Sequence, residues 1–137
     1  MATDFKYNSK AVPGGDIAVH NSGASDITAG TLVKIDTAHA PSVTQAIAVS
    51  ATAANTDLPF GIAIETIPAA GDGRVRVLGS YPVKCAAGCT VGDLLMPSGT
   101  AGEVDTQSAG KPQIGFAMNT AAAGDSVEVW IAIAKNA

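Results

Sequence analysis

Apolar and polar residues alternate most clearly in two stretches of this chain, and the second repeats the first. Pro59 to Gly79 reads PFGIAIETIPAAGDGRVRVLG and Gln113 to Ile131 reads QIGFAMNTAAAGDSVEVWI. Each opens with a strand-like run in which Phe60, Ile62 and Ile64 (Ile114, Phe116 and Met118 in the second copy) point one way. Gly61 and Ala63 (Gly115 and Ala117) point the other way, where small residues let another layer approach. The Gly-Asp pair then turns the chain into a second alternating run, with Val75 and Val77 inward and Arg74 and Arg76 outward. A weaker echo precedes each copy, Ala29 to Val33 (AGTLV) and Val91 to Leu95 (VGDLL). The pattern predicts one domain of two similar β halves that close on each other, since neither alone covers its apolar face.

The remaining elements follow from the same alternation. A first strand is expected over Asp16 to His20, and Pro13, Gly14 and Gly15 break the chain just before it. Strands are then expected over Thr31 to Asp36 and from Val43 to about Ser50, followed by a loop through Asp57. After the first hairpin, Tyr81 to Cys85 reads as a separate short strand with Pro82 near its start, where a missing N–H is tolerated. Val91 to Met96 and Glu103 to Thr106 come next, and Gln107 to Pro112 connects them to the second hairpin. The last strand, Asp125 to Ala134, sets Val127, Val129, Ile131 and Ile133 on one face. Ser126, Glu128, Trp130 and Ala132 lie on the other, so the only Trp falls on the side assigned to solvent.

Composition narrows the class to all-β. Of the 137 residues 47% are apolar, but many are Ala, with only three Phe and one Trp. The core must therefore be mostly β-branched, which suits strands, and 15 Gly and 7 Pro punctuate them. Ala contributes little to burial at about 25 cal/mol per Å², so such a chain gains from a partner surface. A net charge of −4 and a pI near 4.8 argue against nucleic acid, whose phosphates call for a basic stripe. No run approaches the roughly 20 apolar residues of a membrane span, and the N-terminus lacks the order of a signal peptide.

Chemistry-bearing residues do not converge. Cys85 and Cys89 flank Ala-Ala-Gly, a spacing open to a small strained disulfide, half a metal site, or free, partly buried thiols, the last being the simplest reading. His20 and His39 have no regular spacing to them or to any carboxylate. No Ser stands in a G-x-S-x-G context, and no glycine cluster has the Gly-Lys-Ser/Thr or G-x-G-x-x-G form of a phosphate loop. Asp57, Glu65, Asp72, Asp93 and Asp125 fall at strand ends and turns, where backbone geometry alone calls for them. No catalytic residue, cofactor site or metal site is expected, which leaves a binding or structural protein.

Two features bear on binding. Residues 1 to 14 differ from the rest, with Phe5 and Tyr7 alternating among Asp4, Lys6 and Asn8. They read either as a frayed terminus or as an extended arm that pairs with a neighbour's sheet edge. Trp130 is either half-covered by a loop of its own chain or an anchor at a subunit contact, and Tyr81 is the other aromatic outside the arm suited to such a contact.

The phrases Phe60 to Ile64 (FGIAI) and Ile114 to Met118 (IGFAM), with Ala-Ala-Gly-Asp at Ala69 to Asp72 and Ala122 to Asp125, resemble the capsid cement or head decoration proteins of tailed bacteriophages. The AGTLV and VGDLL phrases fit the same family, and the resemblance spans most of residues 15 to 134. It implies a single small β-barrel-like domain, the β-tulip, over residues 15–137 behind an extended N-terminal arm over residues 1–14. It also implies a homotrimer on the outer surface of an icosahedral head, at three-fold and quasi-three-fold positions, stabilising the virion without catalysis. The arm would add to the sheet of the major capsid protein, placing Thr3, Asp4, Phe5, Lys6, Tyr7, Asn8 and Val12 at the contact with Phe5 and Tyr7 as anchors. The protein would be made in the host cytoplasm. The main competing reading is a β-barrel module for carbohydrate or cell-surface binding, which would need a cluster of exposed aromatics on one face.

Overall fold

β-Branched residues at alternate positions build nine strands, described in a computed structural model that covers residues 13–38 and 46–135. They are β1 (Pro13–Asn21), β2 (Leu32–Ile35), β3 (Ile47–Ala51), β4 (Gly61–Ala63), β5 (Asp72–Lys84), β6 (Leu94–Pro97), β7 (Val104–Thr106), β8 (Gln113–Ala117) and β9 (Ser126–Ala134). The described residues contain no helix. The expected arm, Thr3 to Val12, and His39 lie outside the described residues.

The first five strands form a closed ring. β1 pairs with β3 in parallel, β3 with β2, β2 with β4 and β4 with β5 antiparallel, and β5 returns to β1. The result is a small five-stranded barrel. β5 then runs on past Gly79, where φ is 106°, and pairs with β9; β9 pairs with β8, β8 with β6 and β6 with β7. A single parallel bridge between Cys85 and Val104 brings β7 back to the end of β5.

The second ring repeats the first pair by pair. Leu32 opposite Ile62 corresponds to Leu94 opposite Phe116, and Ala63 opposite Val75 to Ala117 opposite Val129. Val19 opposite Gly73 corresponds to Val83 opposite Val127. The parallel contact of Asn21 with Val49 corresponds to that of Cys85 with Val104. The bridges Ile27–Ile67 and Cys89–Ala121 also match, as do the turns closed at Gly30 and Gly92, with φ of 88° and 90°. β1 is thus the counterpart of the second part of β5, so one strand serves as the last of the first barrel and the first of the second.

The cores obey the same correspondence. Val19, Ile27, Val33, Val49, Ala63, Ile67 and Val75 fill the first barrel. Their counterparts Val83, Cys89, Leu95, Val104, Ala117, Ala121 and Val129 fill the second, joined by Ile114 and Ile131. Both fillings are tight and mostly small, as a five-stranded barrel requires.

Several expectations are corrected. Tyr81 to Cys85 is no separate strand but the continuation of β5, which bends at Gly79 instead of ending there. Arg76 does point away from the first barrel's core, but it is 8% exposed and not solvent-facing, because the second half covers that face. Ile114 and Phe116 do not share a face: the register slips between Gln113 and Gly115, leaving Ile114 buried and turning Phe116 and Met118 to solvent. Ile133 leaves the buried row of β9 and is 38% exposed, beyond the end of the core.

The glycines of the repeated phrases answer to a neighbouring strand more than to another layer. A Cβ on Gly115 would meet the Trp130 carbonyl at 1.8 Å, and one on Gly61 the Arg76 carbonyl at 2.6 Å. The Ala-Ala-Gly-Asp phrases are one residue out of structural step. The first turn is closed from Gly71 to Pro68 with Ala70 at φ 59°, and the second from Asp125 to Ala122 with Gly124 at φ 83°.

Candidate docking surfaces

On the outside of each barrel, one row of side chains crosses four strands at matching positions. In the first the row is Leu32, Ile62, Arg76 and Asp16; in the second it is Leu94, Phe116, Trp130 and Ser80. Leu32, Ile62 and Arg76 of the first row are sealed by the second half of the chain, leaving Asp16 at the exposed edge, and Leu32 and Ile62 join the second barrel's core. The apolar part of the second row is open, with Leu94 45% and Phe116 38% exposed and Trp130 half-buried, while Ser80 at its end is buried.

The seal on the first row is specific. The Leu32 amide donates to the Gly102 carbonyl at 2.9 Å, and the Gly102 amide to the Thr52 carbonyl at 2.8 Å. The Tyr81 hydroxyl donates to the Ile64 carbonyl at 3.3 Å, while its ring lies under the Arg76 guanidinium, 5.6 Å from the centroid. Arg76 also donates to Asp16 and to the Ser80 carbonyl. The Arg76 hydrogen bond holds the Asp16 carboxyl below the usual carboxylate range, against the opposing effect of burial. Tyr81, expected as a subunit contact, thus already works between the two halves of one chain.

A polar cleft of about 410 Å³ lies beside this seam, lined by residues that include Thr28, Thr31, Tyr81, Lys84, Glu103 and Ser126. It brings together none of the expected reactive groups. His20 donates from Nδ1 to Asp72 at 2.6 Å on another part of the first barrel. Cys85 and Cys89 are free and buried in the second core, Cys85 completely, more so than expected. Burial pushes the Cys85 thiol up to about 12, and the hydrogen bond and charge of Cys89 act in the same direction. Among the described residues no three His, Cys, Asp or Glu side chains are grouped to hold a metal ion, and no helix is long and apolar enough to cross a membrane.

A family model for phage cement proteins matches residues 12–133, the span of both barrels. The chain belongs to the phage cement protein family. Among solved structures, this cement protein is similar in fold to the N base of the head fiber gp8.5 of bacteriophage phi29. The TM-score is 0.65 at 21% sequence identity, over 86% of this chain and 95% of that one. No curated protein matches it.

For the cement protein's surface, the sequence pattern marks Trp130 as lying outside the core, but sets Phe116 on the same face as Ile114. The signal it lacked was the bulge at Gln113 to Gly115, which reverses the facing of every residue after it. Leu94 was concealed by the same logic, since VGDLL carries two adjacent leucines and only the pairing shows that Leu95 is the buried one.

Proposed function

We propose that this protein decorates the outer surface of an icosahedral phage head as a trimer at three-fold and quasi-three-fold positions, stabilising the shell by bridging major capsid subunits. The observation that carries this reading is the cement-family match over residues 12–133; the fold shared with a phage head fiber base supports it. The part of the expected 1–14 arm that precedes β1, residues 1–12, acts as the arm, with Thr3, Asp4, Phe5, Lys6, Tyr7, Asn8 and Val12 at the capsid and Phe5 and Tyr7 seated in its pockets. Trp130 serves a subunit contact. The role is structural, without catalysis, cofactor, nucleic acid or membrane, and the protein is made in the host cytoplasm.

The physics of the role fits the chain. A shell expanded by packaged genome is under outward load, and a trimer that holds several capsid subunits ties them without covalent bonds. Once one arm docks, the other two act at an effective concentration of order millimolar, so modest single contacts sum to firm attachment. An acidic, lysine-poor surface suits an exterior position away from the genome.

The test mixes purified protein with undecorated heads before and after expansion and counts copies bound. Saturable binding to expanded heads with a gain in thermal or mechanical resistance is expected, and deletion of residues 1–12 should weaken it severely. Equal binding by the truncated protein would remove the arm from the account, and absence of binding to either form of head would remove the function.

A further inference from the structure

The two barrels show what an outer row is for, because one row is covered and its twin is not. Ile114 and Ile131 of the second barrel are 0% and 5% exposed and belong to the same buried cluster as Leu32 and Ile62 of the first row. Their counterparts in the first barrel, Phe60 and Val77, pack against that barrel's core but stay half-buried. Tyr81 reaches across the seam to Ile64; its counterpart Ile17 is 38% exposed, and the counterpart of Ile64, Met118, is 37% exposed. Leu32, Ile62, Ile64, Tyr81, Ile114 and Ile131, the apolar residues that meet across the seam, therefore each have a twin left partly open. The twins fall on two different faces, with Leu94, Phe116, Met118 and Trp130 on the second barrel and Ile17, Phe60 and Val77 on the first.

We propose that copies of this chain associate head to tail, the Leu94–Phe116–Trp130 row of one copy seating on the Ile17, Phe60 and Val77 face of the next. The contact repeats between chains the one already made within the chain, and the occupant is therefore a second copy and not an unrelated apolar surface. A contact between two different faces is heterologous, and such contacts close into rings when the rotation permits. The replacement of Arg76 by Trp130 in the row suits the change of setting. Within the chain Arg76 is fixed by Asp16, whereas between chains a large aromatic supplies contact area without a permanent partner. The inference rests on the proposed function only for the number three; the faces themselves follow from the repeat.

The experiment measures mass by sedimentation velocity for the full chain and for Phe116→Glu, Leu94→Glu and Ile17→Glu, with far-UV circular dichroism and melting temperature as controls. These positions are exposed in the single chain, so the folded controls should stay unchanged. The wild type is expected at three times the chain mass. Phe116→Glu, Leu94→Glu and Ile17→Glu are each expected to associate at least about 30-fold more weakly. Mixing Phe116→Glu with Ile17→Glu at high concentration should yield a species of two chains, because each contributes the face the other lacks. A wild type that stays monomeric at millimolar concentration, folded variants that keep the wild-type mass, or a mixture that stays monomeric would overturn the proposal. Head binding is scored on heads and association in free solution, so the capsid reading and this one fail on different measurements.

Discussion

Arg76 holds Asp16 side-on along one edge of its guanidinium, Nε 2.9 Å from Oδ1 and Nη2 3.3 Å from Oδ2, across 60 residues of sequence. Arg76 lies under the second half of the chain with its side chain 9% exposed, while Asp16 sits at the edge of that cover with 23% of its side chain exposed. Asp16→Asn leaves a covered guanidinium without its counter-charge and should cost about 2–3 kcal/mol, less than a fully buried pair because Asp16 itself is partly exposed. Urea unfolding of the two proteins at pH 7 measures this.

The same pair sets an acid limit. The Asp16 carboxyl is lowered in the folded state, chiefly by its hydrogen bond to Arg76, so the unfolded chain takes up that proton first. Its contribution is complete above the ordinary carboxylate value of about 3.9 and declines as pH falls through the lower folded value. Stability followed from pH 6 to pH 2.5 should drop less steeply in Asp16→Asn than in the wild type.

Gly115 faces a backbone carbonyl that cannot move aside. Gly115→Ala should prevent folding or cost more than about 4 kcal/mol, because the added carbon would overlap the Trp130 carbonyl oxygen. Gly110→Ala, where the same carbon meets nothing within 4 Å, should cost only about 1 kcal/mol for its φ of 80°. Soluble yield and thermal melting of the two variants separate a steric block from a conformational preference.

Cys85 and Cys89 should be silent in the native protein. Both thiols are buried away from reagent, and Cys85, raised to about 12, carries almost no thiolate at pH 8. Labelling by a thiol-specific disulfide reagent should proceed at the rate of unfolding and become immediate in denaturant. Rapid labelling of the folded protein would contradict this core.

Asp57 organises the loop after β3, its Oδ2 accepting from the Ala53 and Ala54 amides at 2.7 and 3.0 Å and its Oδ1 from Lys34 at 3.3 Å. Burial would raise its pKa, but the two amides and Lys34 together hold it below the usual value. Asp57→Ala should cost about 1–2 kcal/mol in urea unfolding, the amides losing their acceptor.

Much of this architecture was legible because both halves use Gly at the same two structural positions. Gly30 and Gly92 close equivalent turns, and Gly61 and Gly115 admit equivalent carbonyls; these are places where backbone geometry overrides other preferences. The strand order was hidden, because β1 meets β3 in parallel only once the ring closes, and no local pattern encodes that. Arg76 misled for a related reason. A charged residue alternating with Val reads as solvent-facing, and only the Asp16 partner 60 residues away makes its burial tolerable. The row at Leu94 and Phe116 has no local signature, since only the strand pairing sets these two residues side by side.

Because the thirteen residues of β5 wall both barrels, neither can open while the other stays intact. Amide hydrogens at Val19 and Val83, deep in separate cores, should therefore exchange with a common free energy and not as two independent units. The two matching halves thus make a single cooperative body with a spine, in which loosening either end is felt along the whole length.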